Sequence, residues 1–195
     1  MIYASLVLGL VLLLAGPAVA GPLDAPGYTK AFSCSACHGF GGNSPSDTMP
    51  ILAGMNPAYL KKALQDYAAG KRPSPEMEPY SKMAIQLGVD EVVGYFAAQK
   101  RAPSPIKVDT GAGARGRSAA AQCAVCHGPE GKGDPAKLVP ALAGQPPGYL
   151  RNQMLLFKQE RRSPGDKALT DMKAIMKALP DDTLADLAAY YAGLR

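Results

Sequence analysis

The sequence contains the stretch Cys34-Ser35-Ala36-Cys37-His38-Gly39 and, further along, Cys123-Ala124-Val125-Cys126-His127-Gly128. Together the two copies use all four cysteines and both histidines of the chain. Cys-x-x-Cys-His is the pattern on which haem c is attached. Its two thiols add across the porphyrin vinyl groups, and the imidazole on the same turn becomes a proximal iron ligand. Other uses of the same residues fit less well. A zinc ribbon places its second cysteine pair about 15–20 residues after the first, whereas these pairs stand about ninety residues apart. A thioredoxin-like redox motif needs a surrounding strand–helix–strand pattern that neither copy has. A plain disulfide leaves the histidine after each pair without a purpose. Two covalently bound haem c groups are therefore expected, on Cys34 and Cys37 and on Cys123 and Cys126, with His38 and His127 as iron ligands.

The rest of the composition agrees with a chain built around large apolar cofactors. Aromatic residues are 7% of the total and tryptophan is absent. A small domain so short of bulky side chains has difficulty making a core, and a buried haem supplies the missing apolar mass for about eighty residues. Leu6–Ala15 is an apolar run, followed by Gly16-Pro17 and Ala18-Val19-Ala20. This predicts a signal peptide over residues 1–20, cleaved after Ala20, and a periplasmic body. No Lys or Arg precedes the run, and an uncleaved leader would tether the chain to a membrane. The formal charge is +5, which about four haem propionates would largely offset. Lys and Arg against Asp and Glu number 8 to 7 over residues 21–101 and 13 to 9 over residues 102–195, so the second half is the more basic. Nucleic acid is not an expected partner, because no basic cluster is interleaved with aromatics.

Read in order, the chain repeats itself. A helix over Tyr28–Cys37 leads into the first motif, a Gly/Ser/Pro-rich loop follows over Gly39–Pro50, and then comes Pro50-Ile51-Leu52-Ala53-Gly54. A helix from about Pro57 to Ala69 and another from about Asp90 to Gln99, with Asp90 as its N-cap, complete the first half. The second half has a helix over Ala112–Cys126, a loop over Pro129–Lys137, and Pro140-Ala141-Leu142-Ala143-Gly144. Helices over Pro147–Glu160 and about Asp182–Ala192 follow. Tyr149-Leu150 answers Tyr59-Leu60, Arg161-Arg162-Ser163-Pro164 answers Lys71-Arg72-Pro73-Ser74-Pro75, and Tyr190-Tyr191 answers Tyr95-Phe96. The expectation is an all-α chain of two tandem domains of one kind, over 21–101 and 114–195, joined by a linker over 102–113. Gly111-x-Gly113-x-x-Gly116 matches a dinucleotide fingerprint as a pattern. It follows no strand and runs into a haem motif, so no nicotinamide or flavin site is expected there.

Both histidines being used, the second axial position falls to Met, Lys or nothing. A soft thioether stabilises ferrous iron and suits electron transfer. Residues 21–195 offer Met49, Met55, Met77, Met83, Met154, Met172 and Met176. Met77 lies 18 residues before Tyr95 and Met172 lies 18 before Tyr190, each after a Pro-containing loop. The duplicated position selects Met77 and Met172, while Met83 and Met154 read as core filler. Met176 competes with Met172, because Gly165–Leu169 looks like an insertion.

The chain over its whole length after the leader resembles the dihaem cytochromes c of the cytochrome c4 family, whose close relative is the dihaem subunit of flavocytochrome c sulfide dehydrogenase. The two Cys-x-x-Cys-His-Gly motifs, Pro50–Gly54 with Pro140–Gly144, the loop methionines Met77 and Met172 and the closing helices carry the resemblance. It implies two class I cytochrome c domains, each wrapped around one covalent haem and related by an approximate two-fold, with the haems approaching near the interface. It also implies that the carbonyls of Pro50 and Pro140 accept a hydrogen bond from the His38 and His127 rings. Met55 departs from the family, which usually has glutamine after Leu-Ala-Gly, as Gln145 does here. The function expected is one-electron transfer in a respiratory chain, between a quinol-oxidising complex and a terminal oxidase. The alternative is an electron-accepting subunit beside a flavoprotein that oxidises sulfide. A catalytic dihaem enzyme would need an open or unusually ligated iron, and no spare Cys or His exists for one.

Overall fold

The computed structural model describes residues 21–194, and the expected signal peptide over 1–20 lies outside the described residues. The first half contains α1 (Tyr28–Ala31), α2 (Ser35–His38), α3 (Pro57–Ala68) and α4 (Met77–Ala98). The second contains α5 (Thr110–Ala119), α6 (Ala121–His127), α7 (Pro147–Lys158), α8 (Thr170–Ala178) and α9 (Asp181–Gly193). Among the described residues the only extended pairing is an isolated bridge between Asp134 and Val139. No helix in the described part is long and apolar enough to cross a membrane.

Helix starts follow local chemistry. Pro57 and Pro147 open α3 and α7, where a missing N–H costs nothing. The Asn56 carboxamide oxygen accepts the Tyr59 N–H at 2.9 Å, and Asp109 caps α5 by accepting from Gly111 and Ala112. Neither motif lies on one continuous helix as the sequence suggests. A 3₁₀ turn over Phe32–Cys34 separates α1 from α2. Ala120 divides α5 from α6, because its N–H bonds the Arg117 carbonyl three residues back and tightens the turn.

The expected helix from Asp90 is the second part of a longer one. Ser74 Oγ accepts the Met77 N–H at 3.2 Å and starts α4 there. Pro79 falls in the first turn, where N–H groups have no intrahelical acceptor. Gly88, at φ 112° and ψ 86°, kinks α4. Asp90 is then no cap but an ion-pair partner of Lys61 on α3 at 2.7 Å. In the second half the break comes earlier, at Leu179-Pro180, with Leu179 extended as a residue before proline must be.

Each half closes its own core. Leu60 and Ala63 of α3 pack with Val92, Val93 and Phe96 of α4. Leu150 and Phe157 of α7 pack with Leu184, Leu187 and Tyr191 of α9. Among the described residues the chain is thus helical apart from that one bridge, with two units in tandem, each around its own core. Their internal tethers repeat: Gly54 N–H to the Phe96 carbonyl at 3.0 Å, and Gly144 N–H to the Tyr191 carbonyl at 2.8 Å.

The halves meet through polar groups. Arg72 donates to the Tyr149 hydroxyl at 2.7 Å, and Arg162 donates to the Tyr59 hydroxyl at 3.2 Å. Both guanidiniums share Gln153 Oε1, at 3.1 and 2.7 Å. This exchange of equivalent contacts is what a two-fold relation between like surfaces produces. Asp47 of the first half caps α7 of the second, taking the Gly148 N–H at 2.8 Å, because Pro146 at the N-cap has no side-chain acceptor.

Candidate functional site

His38 is the last residue of α2 and His127 the last of α6. The glycine after each, Gly39 and Gly128, adopts φ 74°, a left-handed value that turns the chain sharply away from the ring. Each motif helix therefore ends at its histidine, with one cysteine immediately before it in the chain and the other one turn back. The four thiols are free, with Cys37 and Cys126 exposed and Cys34 and Cys123 half-buried. Burial pushes the Cys34 and Cys123 thiols up from their ordinary range.

The ring orientation is fixed from behind. His38 Nδ1–H donates to the Pro50 carbonyl at 2.9 Å, and His127 Nδ1–H to the Pro140 carbonyl at 3.0 Å. A carbonyl can only accept, so Nδ1 holds the proton and Nε2 presents its lone pair. His38 Nε2 is buried and has no hydrogen-bond partner. Burial also pulls both imidazoles below their ordinary pKa, which the hydrogen bonds to Pro50 and Pro140 offset in part. A neutral imidazole with an unspent, buried lone pair is what an axial iron ligand requires. Among the described residues no group of three or more His, Cys, Asp or Glu side chains gathers into a metal site. The two cysteine pairs thus do not combine into a zinc centre. Val125, between the cysteines of the second motif, is 85% exposed, and Phe32 beside the first is 61% exposed. Such apolar side chains beside the thiols suit a flat hydrophobic cofactor. The residues of both motifs fit haem c.

Met77 and Met172 do not lie in loops. Met77 is the first residue of α4 and Met172 the third of α8, and both are half-buried. Met172 packs against the second core, and Met176, one turn on, is fully inside it. Counting back from Tyr95 and Tyr190, the first-half counterpart of Met176 is Ser81, which is buried and not a thioether. The 77/172 register is thus the one at which both halves hold a methionine.

Sequence reasoning missed the cross-interface set. Arg72 is buried, and among the described residues its hydrogen-bond partners are Gln153 and Tyr149, with no carboxylate. Burial acts to lower its pKa, but the oxygens of Tyr149, Tyr67 and Tyr59 outweigh this and hold it cationic. Burial acts to raise Tyr59, yet the guanidiniums of Arg162 and Arg72 bring it down to about 8. The only sequence signal was the recurrence of Arg and Tyr at matching places, which says nothing of which half they face.

Comparison with known proteins agrees with this geometry. The sequence profile of the cytochrome c family matches residues 113–194. Cytochrome c4 of Pseudomonas aeruginosa is 33% identical, with 95% of each chain covered. The thiosulfate dehydrogenase electron acceptor of Stutzerimonas stutzeri is 32% identical over 84% of this chain and 80% of its own. The crystal structure of reduced recombinant cytochrome c4 from Pseudomonas stutzeri superposes with a TM-score of 0.78 at 28% identity, covering 87% of this chain and 97% of the other. With two Cys-x-x-Cys-His turns, two carbonyl-anchored imidazoles and this kinship over nearly its full length, the chain belongs to the cytochrome c4 family of dihaem electron-transfer proteins.

Proposed function

We propose that this chain is a periplasmic shuttle for single electrons in a respiratory chain, taking them from a quinol-oxidising complex and passing them to a terminal oxidase. The observation that carries the reading is the duplicated imidazole, with Nδ1–H spent on a proline carbonyl and Nε2 left to bind iron. Haem supplies the one-electron ferric/ferrous couple. The chain's own residues do the rest. Cys34 and Cys37, and Cys123 and Cys126, hold each group covalently, which keeps it in place through redox cycling. His38 and Met77 would hold one iron, and His127 and Met172 the other. A thioether opposite an imidazole favours the ferrous state and raises the potential.

The test is a set of single substitutions in the chain carrying both haems. Met77→Ala and Met172→Ala should each abolish the thioether–ferric iron absorption band of one haem and lower one of the two potentials. Met176→Ala should keep both bands and cost about 2–5 kcal/mol of stability as a core truncation. Intact bands in Met172→Ala with loss in Met176→Ala would move the ligand one turn along α8. A second reading makes the chain the electron-accepting partner of an enzyme oxidising a reduced sulfur compound. The 32% identity to a protein named for accepting electrons from thiosulfate dehydrogenase favours it. Gentle purification from the native host separates the two readings, since the second requires a stoichiometric oxidoreductase, such as a flavoprotein that oxidises sulfide.

A further inference from the structure

The peptide group joining Pro50 to Ile51 is hydrogen-bonded at both ends. Its carbonyl takes the His38 Nδ1–H at 2.9 Å. Its N–H donates to Gln145 Oε1 at 2.9 Å, from the other half of the molecule. Gln145 Nε2 in turn donates to the Ile51 carbonyl at 2.8 Å and to Met55 Sδ at 3.4 Å. The carboxamide is therefore clamped in one orientation. Gln145 and Ile51 are each 1% exposed, so water does not compete for these bonds. An unbroken line runs from Gln145 through one peptide unit to the imidazole of the opposite domain.

We propose that Gln145 is a positioning residue for His38, acting across the interface through the Pro50–Ile51 peptide to lower the reduction potential of the first haem. The proposal rests on the reading of His38 as an axial ligand. Hydrogen bonds in series through an amide polarise one another. An acceptor on the Ile51 N–H makes the Pro50 carbonyl a stronger acceptor, which draws the Nδ1 proton and enriches Nε2. A more basic imidazole stabilises ferric over ferrous iron, so the potential falls.

The device is built once. In the second half His127 binds the Pro140 carbonyl in the same way. There, however, Met55 stands where the partner glutamine would be, and among the described residues the Ala141 N–H has no acceptor. Met55, Pro140 and Ala141 line one cavity of about 310 Å³. The Gln145/Met55 difference thus separates the two haems energetically, although their motifs are alike.

The experiment is a redox titration of the full chain with both haems, together with NMR of the ferric state to follow the His Nδ1–H resonances. Gln145→Leu should raise the potential of the first haem, shift the His38 Nδ1–H signal and leave the second haem unchanged. Met55→Gln exchanges the Sδ contact of Gln145 for a carboxamide and adds an acceptor on the side of the second haem, whose potential it should lower. Equal shifts of both haems in Gln145→Leu, or no shift in either variant, would overturn the proposal. A His38 Nδ1–H without a hyperfine shift in the ferric wild type would instead mean that His38 is not on the iron, and the underlying reading would fail with it. A hyperfine-shifted His38 that ignores Gln145→Leu sinks only the role given to Gln145.

Discussion

His38 and His127 make their contribution to the fold as neutral rings. Burial holds both below the ordinary value of 6.5, with the carbonyls of Pro50 and Pro140 offsetting only part. A base with a depressed folded pKa leaves the native chain binding fewer protons than the unfolded one below that ordinary value. Stability is therefore complete above about pH 6.5 and is lost as pH falls through the depressed pKa. The limiting slope is about 1.4 kcal/mol per pH unit for each histidine. Iron at Nε2 acts in the same direction, since it competes with the second proton. Denaturant titrations between about pH 7 and about pH 5, above the range where the carboxylates titrate, should show the decline. A flat profile would mean that the rings stay on iron in the unfolded chain as well, so that neither state takes up the proton.

At the scale of elements, the terminal helices of each half cross with a glycine at the closest point. A Cβ on Gly116 of α5 would collide with the Asp186 carbonyl of α9, and one on Gly27 would collide with the Glu91 carbonyl of α4. Gly113, one turn away on α5, has room, with its nearest neighbour the Ala189 carbonyl oxygen at 3.8 Å. Gly116→Ala should therefore cost at least about 1–3 kcal/mol by forcing the helices apart, whereas Gly113→Ala should gain about 0.5–1 kcal/mol of helix propensity. Thermal melting of the two variants decides it, and equal melting temperatures would refute the crossing argument. The glycine pattern that mimics a dinucleotide fingerprint thus has a packing reason in its third member. The sequence made the duplicated landmarks legible because they are local: Cys-x-x-Cys-His, the Pro-x-Leu-Ala-Gly turn, and proline-led helices. It did not reveal the start of α4. Pro79 argues against a helix unless its place in the first turn is known, and that place depends on the Ser74 hydroxyl. Nor did it reveal what Gln145 does, since a departure from symmetry in sequence gains meaning only once position 145 is seen against the Ile51 peptide of the other half.

At the scale of the molecule, two apolar cores are joined by a surface made mostly of hydrogen bonds. Its buried charge is the Arg72 guanidinium, which shares Gln153 with the half-buried Arg162, and tyrosine hydroxyls are the other acceptors. Burying a cation costs several kcal/mol, which the contacts it makes only partly return. Separating the halves would rehydrate Arg72 and Arg162, so the interface is worth less than its number of bonds suggests. Expressed with an export signal and haem-attachment machinery, residues 102–195 should fold alone and carry one haem. Their losses are the Asp47 cap on α7, about 0.5–2 kcal/mol, and the first-half partners of Gln145, Tyr149 and Arg162, which water replaces. Residues 21–101 lose Gln145, the acceptor on the Ile51 N–H, and should fold less stably, with a haem of higher potential than in the whole chain. Haem content per fragment and thermal melts test the first expectation, and a redox titration tests the second. A second fragment that fails to hold haem would mean that the halves are obligate partners. A first fragment with an unchanged potential would mean that the interface orients the two haems without tuning either.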